Sequence, residues 1–290
     1  GATVWPEGIT VTEIEGENRI ATAIETAEVA FPDGADTVLI ATAYNWPDAL
    51  GGAALAGAVD GPILLTDPAA LPTTVAEEIG RLGASHAIIL GGTGAVSTAV
   101  ESALGTLLGS QSVKRIAGAD RYATARAIAA EAVARQSARP GGYDGTAFVA
   151  TGAAFPDALG ASPLAAANGW PIYLVDPRGV DSATISAMKA AGVKHTIVLG
   201  GTGAVSVDAQ ATISSGVSCS IERIAGATRY ETAAEVAAYG VAECDMCWSG
   251  VAIATGLNFP DALAGGVLQG RSGAVMLLTP SWSLDPSAGS

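Results

Sequence analysis

Apolar residues in this chain gather into short unbroken runs, separated by stretches in which they recur every three or four positions. The runs predict strands and the stretches predict helices. The middle of the chain shows the alternation most clearly. SVKRIAG reads as a strand, Asp120–Gln136 as a helix, GTAFVATG as a strand and Pro156–Ala167 as a short helix. PIYLVDP then reads as a strand, Ser182–Ala191 as a helix, HTIVLGG as a strand and Ser206–Ser215 as a weaker helix. Strands without polar alternation are buried on both faces, as in parallel sheets covered by helices. Strand and helix in turn, with short loops, predict right-handed βαβ units in a doubly wound α/β sheet. Ligands of such sheets sit beyond the carboxyl ends of the strands.

The pattern is written three times. EIEGENRIATA (13–23), RIAGADRYATA (115–125) and RIAGATRYETA (223–233) align. Each is followed by a strand and a PDAL motif: ATAYNWPDAL, ATGAAFPDAL and ATGLNFPDAL. GPILLTDP, WPIYLVDP and AVMLLTP come next, and then LGGTGAVS at Leu90–Ser97 and Leu199–Ser206. The period of just over a hundred residues is that of a domain and too long for a solenoid. Modules are expected over 11–111, 112–219 and 220–290. The third has no LGGTGAVS equivalent and reads as incomplete, in a fragment or processed chain. A further stretch or another chain is expected to complete its sheet. No signal peptide is visible, which reads as a mature or recombinant form.

The triplicated residues suggest architecture before chemistry. In PDAL the proline fits the first helical position. The aspartates, Asp48, Asp157 and Asp261, face the positive end of that helix. Arg19, Arg121 and Arg229 start the first helix of each module, where a cation opposes the dipole and calls for an acidic partner. Ion pairs Arg19–Asp48, Arg121–Asp157 and Arg229–Asp261 are therefore expected, either as pure architecture or as part of a ligand groove.

Catalytic and cofactor readings fail on spacing. GGTGAVS lacks the third glycine of a dinucleotide fingerprint, and a tight turn capped by Ser97 or Ser206 explains it better. His86 and His195 are repeat equivalents at the strand ends opposite PDAL and read as solvent-facing. One CxxC and two histidines do not make a zinc site, so no metal and no cofactor are expected. Cys219, Cys244 and Cys247 point to a structural disulfide, either Cys244–Cys247 or Cys219 with one of them, in an extracellular setting. Three copies of one site suit multivalent holding rather than turnover.

Composition narrows the partners. A formal net charge of −14 excludes a nucleic-acid partner, which needs a basic face. No apolar run is long enough to insert in a membrane. Only 14% of residues are charged while 37 are glycine, which predicts close contacts through small side chains.

The ordered set RIAGADRYxTA, FPDAL, PILL and LGGxxAVS resembles the cell wall binding repeat type 2 family of Gram-positive bacterial surface proteins, over residues 11–280. The resemblance implies three Rossmann-like or toprim-like modules around a pseudo-threefold axis. It further implies a secreted, non-catalytic module at the cell wall, holding an anionic, teichoic-acid-like polymer along grooves between modules. In the family PILL is associated with polymer binding. That role carries over to Pro62, Ile63, Leu64 and Leu65, and to Pro171, Ile172, Tyr173 and Leu174. In the third copy, AVML at 274–277 lacks the proline. The residue-level alternative is a buried strand. Arg19, Arg121 and Arg229 would supply local positive charge. The competing functional reading is a surface platform for adhesion or layer assembly without polymer binding.

Overall fold

The computed structural model describes Gly8, residues 10–45, Pro47 and residues 49–280. The first module contains α1 (Arg19–Ala30), β1 (Thr37–Thr42), α2 (Gly52–Val59), β2 (Ile63–Thr66), α3 (Thr73–Leu82), β3 (His86–Leu90), α4 (Thr98–Leu108) and β4 (Val113–Ile116). The second contains α5 (Arg121–Ser137), β5 (Thr146–Thr151), α6 (Pro156–Gly160), α7 (Ser162–Asn168), β6 (Ile172–Val175), α8 (Ser182–Ala190), β7 (His195–Leu199), α9 (Val207–Ile213) and β8 (Ser220–Ile224). The third contains α10 (Arg229–Glu243), β9 (Cys247–Thr255), α11 (Pro260–Ser272) and β10 (Ala274–Thr279).

The first two sheets are parallel, with orders β2-β1-β3-β4 and β6-β5-β7-β8, and the third pairs β10 with β9. β1 and β5 are buried along their whole length, as continuous apolar strands require. Two expectations need correction. The strands of VKRIAG and ERIAG close the preceding sheet, because β4 pairs with β3 and β8 with β7. Sheet one therefore runs past residue 111 to Ile116, and sheet two past residue 219 to Ile224. The arginine of this segment makes the attachment: Arg115 Nη1 donates to Gly91 O at 2.8 Å and Arg223 Nη1 to Gly200 O at 2.6 Å. The helix expected over 156–167 is broken at Ala161 into α6 and α7. Pro163, in the first turn of α7, has no N–H to continue the ladder.

The modules join through α2 and α7, which follow their PDAL motifs, and α11, which begins with its own, and the three pack on one another at the centre. Small residues set the approach. A Cβ on Gly57 would lie 1.9 Å from Ala166 O, and one on Gly266 would lie 2.4 Å from Ser162 Cβ. A Cβ on Gly270 would lie 2.6 Å from Pro163 O. The first helix of each module then packs on a helix at or just after the PDAL motif of the module before it: α5 on α2, α10 on α6 and α1 on α11. The last contact turns a row of modules into a ring. Arg271 of α11 reinforces it, pairing with Asp60 after α2 and stacking 4.5 Å over the Phe31 ring after α1.

A matched pair of substitutions tests the role of the central glycines. Gly57→Ala is expected to cost about 1–3 kcal/mol, because the obstacle is backbone. Gly80→Ala, in the open interior of α3 with nothing within 4 Å, is expected to stabilise by about 0.5–1 kcal/mol. Denaturant melts of the two variants check the opposite signs. Equal shifts would show that the centre is loosely packed.

Candidate functional site

Each first helix begins on the same device. The N–H of Gly16, Gly118 and Gly226 donates to the hydroxyl of Thr22, Thr124 and Thr232 at 3.1, 3.0 and 3.1 Å. A side chain on Gly118 would strike the helix backbone, 2.5 Å from Ala123 C. Asn18, Asp120 and Thr228 cap the helices. The next residue is the triplicated arginine. Its Nη1 donates to the carbonyl of the turn that leaves its own module's first strand: Arg19 to Ala43 at 2.7 Å, Arg121 to Gly152 at 2.6 Å and Arg229 to Gly256 at 2.8 Å. All three arginines thus stand at the carboxyl ends of the strands.

The PDAL aspartates reach across module boundaries. Asp157 lies in the field of Arg229 and beside the Thr232 hydroxyl, both in the following module. On its other side Gly200 of its own module comes so close that a Cβ there would sit 2.3 Å from Asp157 Oδ2. Asp261 lies in the field of Arg19, which continues the same handing-on around the ring. The expected pairs Arg121–Asp157 and Arg229–Asp261 within one module are therefore replaced by facing between neighbours. The reason is that each central helix is roofed by the next module's first helix, not by its own. Asp48 lies outside the described residues, and with it the expected Arg19–Asp48 pair. The aromatic residue before PD follows the same logic. Phe155 and Phe259 of adjacent modules meet edge to face with ring centroids 6.3 Å apart.

Burial pushes the Asp157 carboxyl above its ordinary value, and the Thr232 hydroxyl and Arg229 oppose the shift. Asp261, more open to solvent, is raised by burial and opposed by Arg19.

Between the first two modules the strand ends frame a cleft of about 460 Å³. Its walls come from the β1 turn (Tyr44, Asn45), the glycine loop after β3 (Gly92, Gly94) and the start of α5 (Asp120, Arg121). The loop is the expected tight turn, with Ser97 and Ser206 accepting from Val100 N and Ala209 N as helix caps. Repetition places Gly201, Gly203, Thr228 and Arg229 in the corresponding positions at the second junction. Tyr44 is 60% exposed, and the Arg19 guanidinium sits 5.4 Å from its ring centroid. Repetition does not single it out, because Ala153 and Leu257 take its place in the other copies.

The remaining candidates lie elsewhere. Pro62–Leu65 and Pro171–Leu174 are buried. Ile63, Leu64 and Leu65 are at most 1% exposed, as are Ile172, Tyr173 and Leu174. Each segment lies beneath its own module's first helix, and Pro62 and Ile63 face a narrow crevice against α11. Their side chains present no surface to a polymer. Tyr173 is held far from ionisation by the same burial. The cysteines form no disulfide. Cys219 is buried against the Thr196 hydroxyl in sheet two, and the other two flank the α10–β9 turn. Cys244 is packed inward, which pushes its thiol up to about 11, while Cys247 is exposed and bonds to Ser249 O. His86 and His195 open β3 and β7 at the ends away from the cleft. No His/Cys/Asp/Glu group suited to a metal occurs among the described residues.

Comparison with known proteins gives a consistent picture. The family model for cell wall binding domain 2 (CWB2) matches residues 13–101, 115–210 and 223–289. The chain is 31% identical to N-acetylmuramoyl-L-alanine amidase LytC of Bacillus subtilis, over 96% of its own length and 52% of the amidase. It is 28% identical to the amidase enhancer of the same organism, over 98% of its length and 37% of that protein. The chain thus spans about half or less of these relatives. Among solved structures, Cwp6 from Clostridium difficile superposes with a TM-score of 0.85 at 27% identity, over 95% of this chain and 42% of Cwp6. Cwp8 from the same organism gives 0.81 at 27% identity, over 94% and 45%.

Two measurements follow from the geometry. First, a carboxyl whose folded value is raised adds stability that is complete below the usual aspartate range and is lost as pH rises through the raised value. Asp157→Asn keeps the neutral form at every pH. Its stability relative to the unmodified chain should therefore improve between pH 4 and 7, as read from paired melts. A gap moving the other way would mean that Arg229 outweighs burial. Second, the Tyr122 and Tyr230 rings lie on Gly152 and Gly256, where a Cβ would come within 2.4 and 2.6 Å of the ring. The first module instead combines Ile20 with Ala43. Gly152→Ala should cost about 1–3 kcal/mol, and adding Tyr122→Ile should recover most of it in a double-mutant cycle. Additive losses would contradict the contact.

Proposed function

Because the chain belongs to the cell wall binding domain 2 family, we propose that it anchors a surface protein non-covalently to the wall, holding an anionic, teichoic-acid-like polymer without turning it over. The observation that carries this reading is the repeated junction at the strand ends. One glycine loop, one helix start and one arginine recur where α/β sheets take ligands. Several weak contacts along one long polymer add up to firm retention. The N-termini of α1, α5 and α10 all open at these junctions beside an arginine, which favours negative charge locally although the chain as a whole carries −14. Attached domains differ among the relatives, one named an amidase and another an amidase enhancer. That variety fits a shared holding device carrying a separate effector, at the outer surface of the cell.

Co-sedimentation with purified cell walls tests the proposal. Binding is expected to intact walls, to fall sharply once their anionic polymers are extracted, and to weaken with added salt. Equal binding before and after extraction would reject the anionic polymer as the ligand.

A further inference from the structure

The three junctions repeat their framework but differ in what they present to a ligand. At the position one residue after the β1-type turn begins, the first module carries Tyr44, the second Ala153 and the third Leu257. The next position carries Asn45, Ala154 and Asn258. Tyr44 is 60% exposed. Its N–H donates to the Thr42 hydroxyl at 3.3 Å, and the Arg19 guanidinium beside the ring is itself tied to Ala43 O. An exposed aromatic ring in the wall of a cleft of about 460 Å³ offers a flat apolar face to a ligand.

The polar groups at the rim of this platform, beyond the Arg19 guanidinium that already lies by the ring, indicate what rests on it. Among the described residues lining the cleft, the ionisable acid and base are Asp120 and Arg121. They are neighbours of opposite sign, and Arg121 already donates to Gly152 O. The Asp120 Oδ1 accepts from Ala123 N at 2.7 Å, and the residue is exposed beside Asn45. An aromatic face with a carboxylate and an amide at its rim matches a sugar ring. The ring's C–H face carries slight positive charge and meets the electron-rich aromatic face, while its hydroxyls need acceptors and donors at the edge.

We propose that the cleft between the first and second modules is a pyranose subsite, in which one sugar ring of a wall glycan stacks on Tyr44 while Asn45 and Asp120 take its hydroxyls. This rests on the wall-binding reading and adds an order to it. The first junction grips a sugar, and the second, with alanines in these positions, does not.

The test has two arms. In the first, ring signals of Tyr44 are followed by NMR while the chain is titrated with methyl pyranosides of glucose and N-acetylglucosamine, and separately with glycerol phosphate. Tyr44 is expected to shift with a pyranoside and not with glycerol phosphate. No shift with either pyranoside, or a shift with glycerol phosphate alone, overturns the subsite. In the second arm, wall binding is compared for the unmodified chain, Tyr44→Ala, Tyr44→Phe and Leu257→Ala. Tyr44→Ala should lose about tenfold while Tyr44→Phe and Leu257→Ala stay within about twofold, with melting temperatures unchanged. Unchanged binding by Tyr44→Ala also overturns the subsite. If the unmodified chain fails to bind walls while Tyr44 still responds to pyranosides, the anchoring reading falls and the subsite stands. Repeating the second arm on polymer-stripped walls shows whether the sugar belongs to the peptidoglycan strand or to the attached polymer.

Discussion

The close approach of α2, α7 and α11 is the constraint on which the rest of the structure depends. Helices can meet this tightly only where the facing positions carry hydrogen or methyl. The stretch after each PDAL motif is accordingly rich in glycine and alanine. Once the three helices touch, each module's flank is exposed to the next module's first helix and nowhere else. The sheets then point their strand ends toward the junctions, and the cleft beside Tyr44 is the space left between one module's loops and the next module's helix start.

Charge plays a different part from packing in this arrangement. Asp157 is partly buried and protonates more readily than a free aspartate, so its ionised form adds no stability by itself. What it contributes is direction. It lies between the Gly200 loop behind it and Arg229 with Thr232 ahead. The arginine in turn bonds to the turn of its own module, so the position of each module's strand end is communicated to the helix that roofs its neighbour. This also explains why the PILL segment is so apolar: it is the strand on which that roofing helix rests, and its side chains are spent on the core.

Much of this could be read from residues alone, and the parts that could not have a common cause. Continuous apolar runs gave the parallel strands, and the offsets of Pro156, Pro260, Ser97 and Ser206 gave the helix starts, because these depend on neighbours along the chain. Triplication marked the arginines and aspartates as related groups, although Arg229 and Asp157, like Arg19 and Asp261, act on each other through space without an ion pair. It could not say which copy of one meets which copy of the other, since a repeat is blind to the difference between its own unit and the next. The same blindness placed VKRI in the wrong sheet. Thr22, Thr124 and Thr232 were equally triplicated and would have been found by asking what holds the glycine before each helix. Tyr44 lay beyond that method altogether, because what singles it out is that its repeats do not share it.

The contact of α1 with α11 has a further meaning for how such chains can grow. A unit that carries the aspartate on one flank and its receiving helix on the other brings both halves of a head-to-tail interface wherever it is copied, so a duplicate docks on its parent without new invention. Here the turn between units closes after three, and the last flank is occupied by the first helix. A unit docking on the third by the same face would have to displace the first helix.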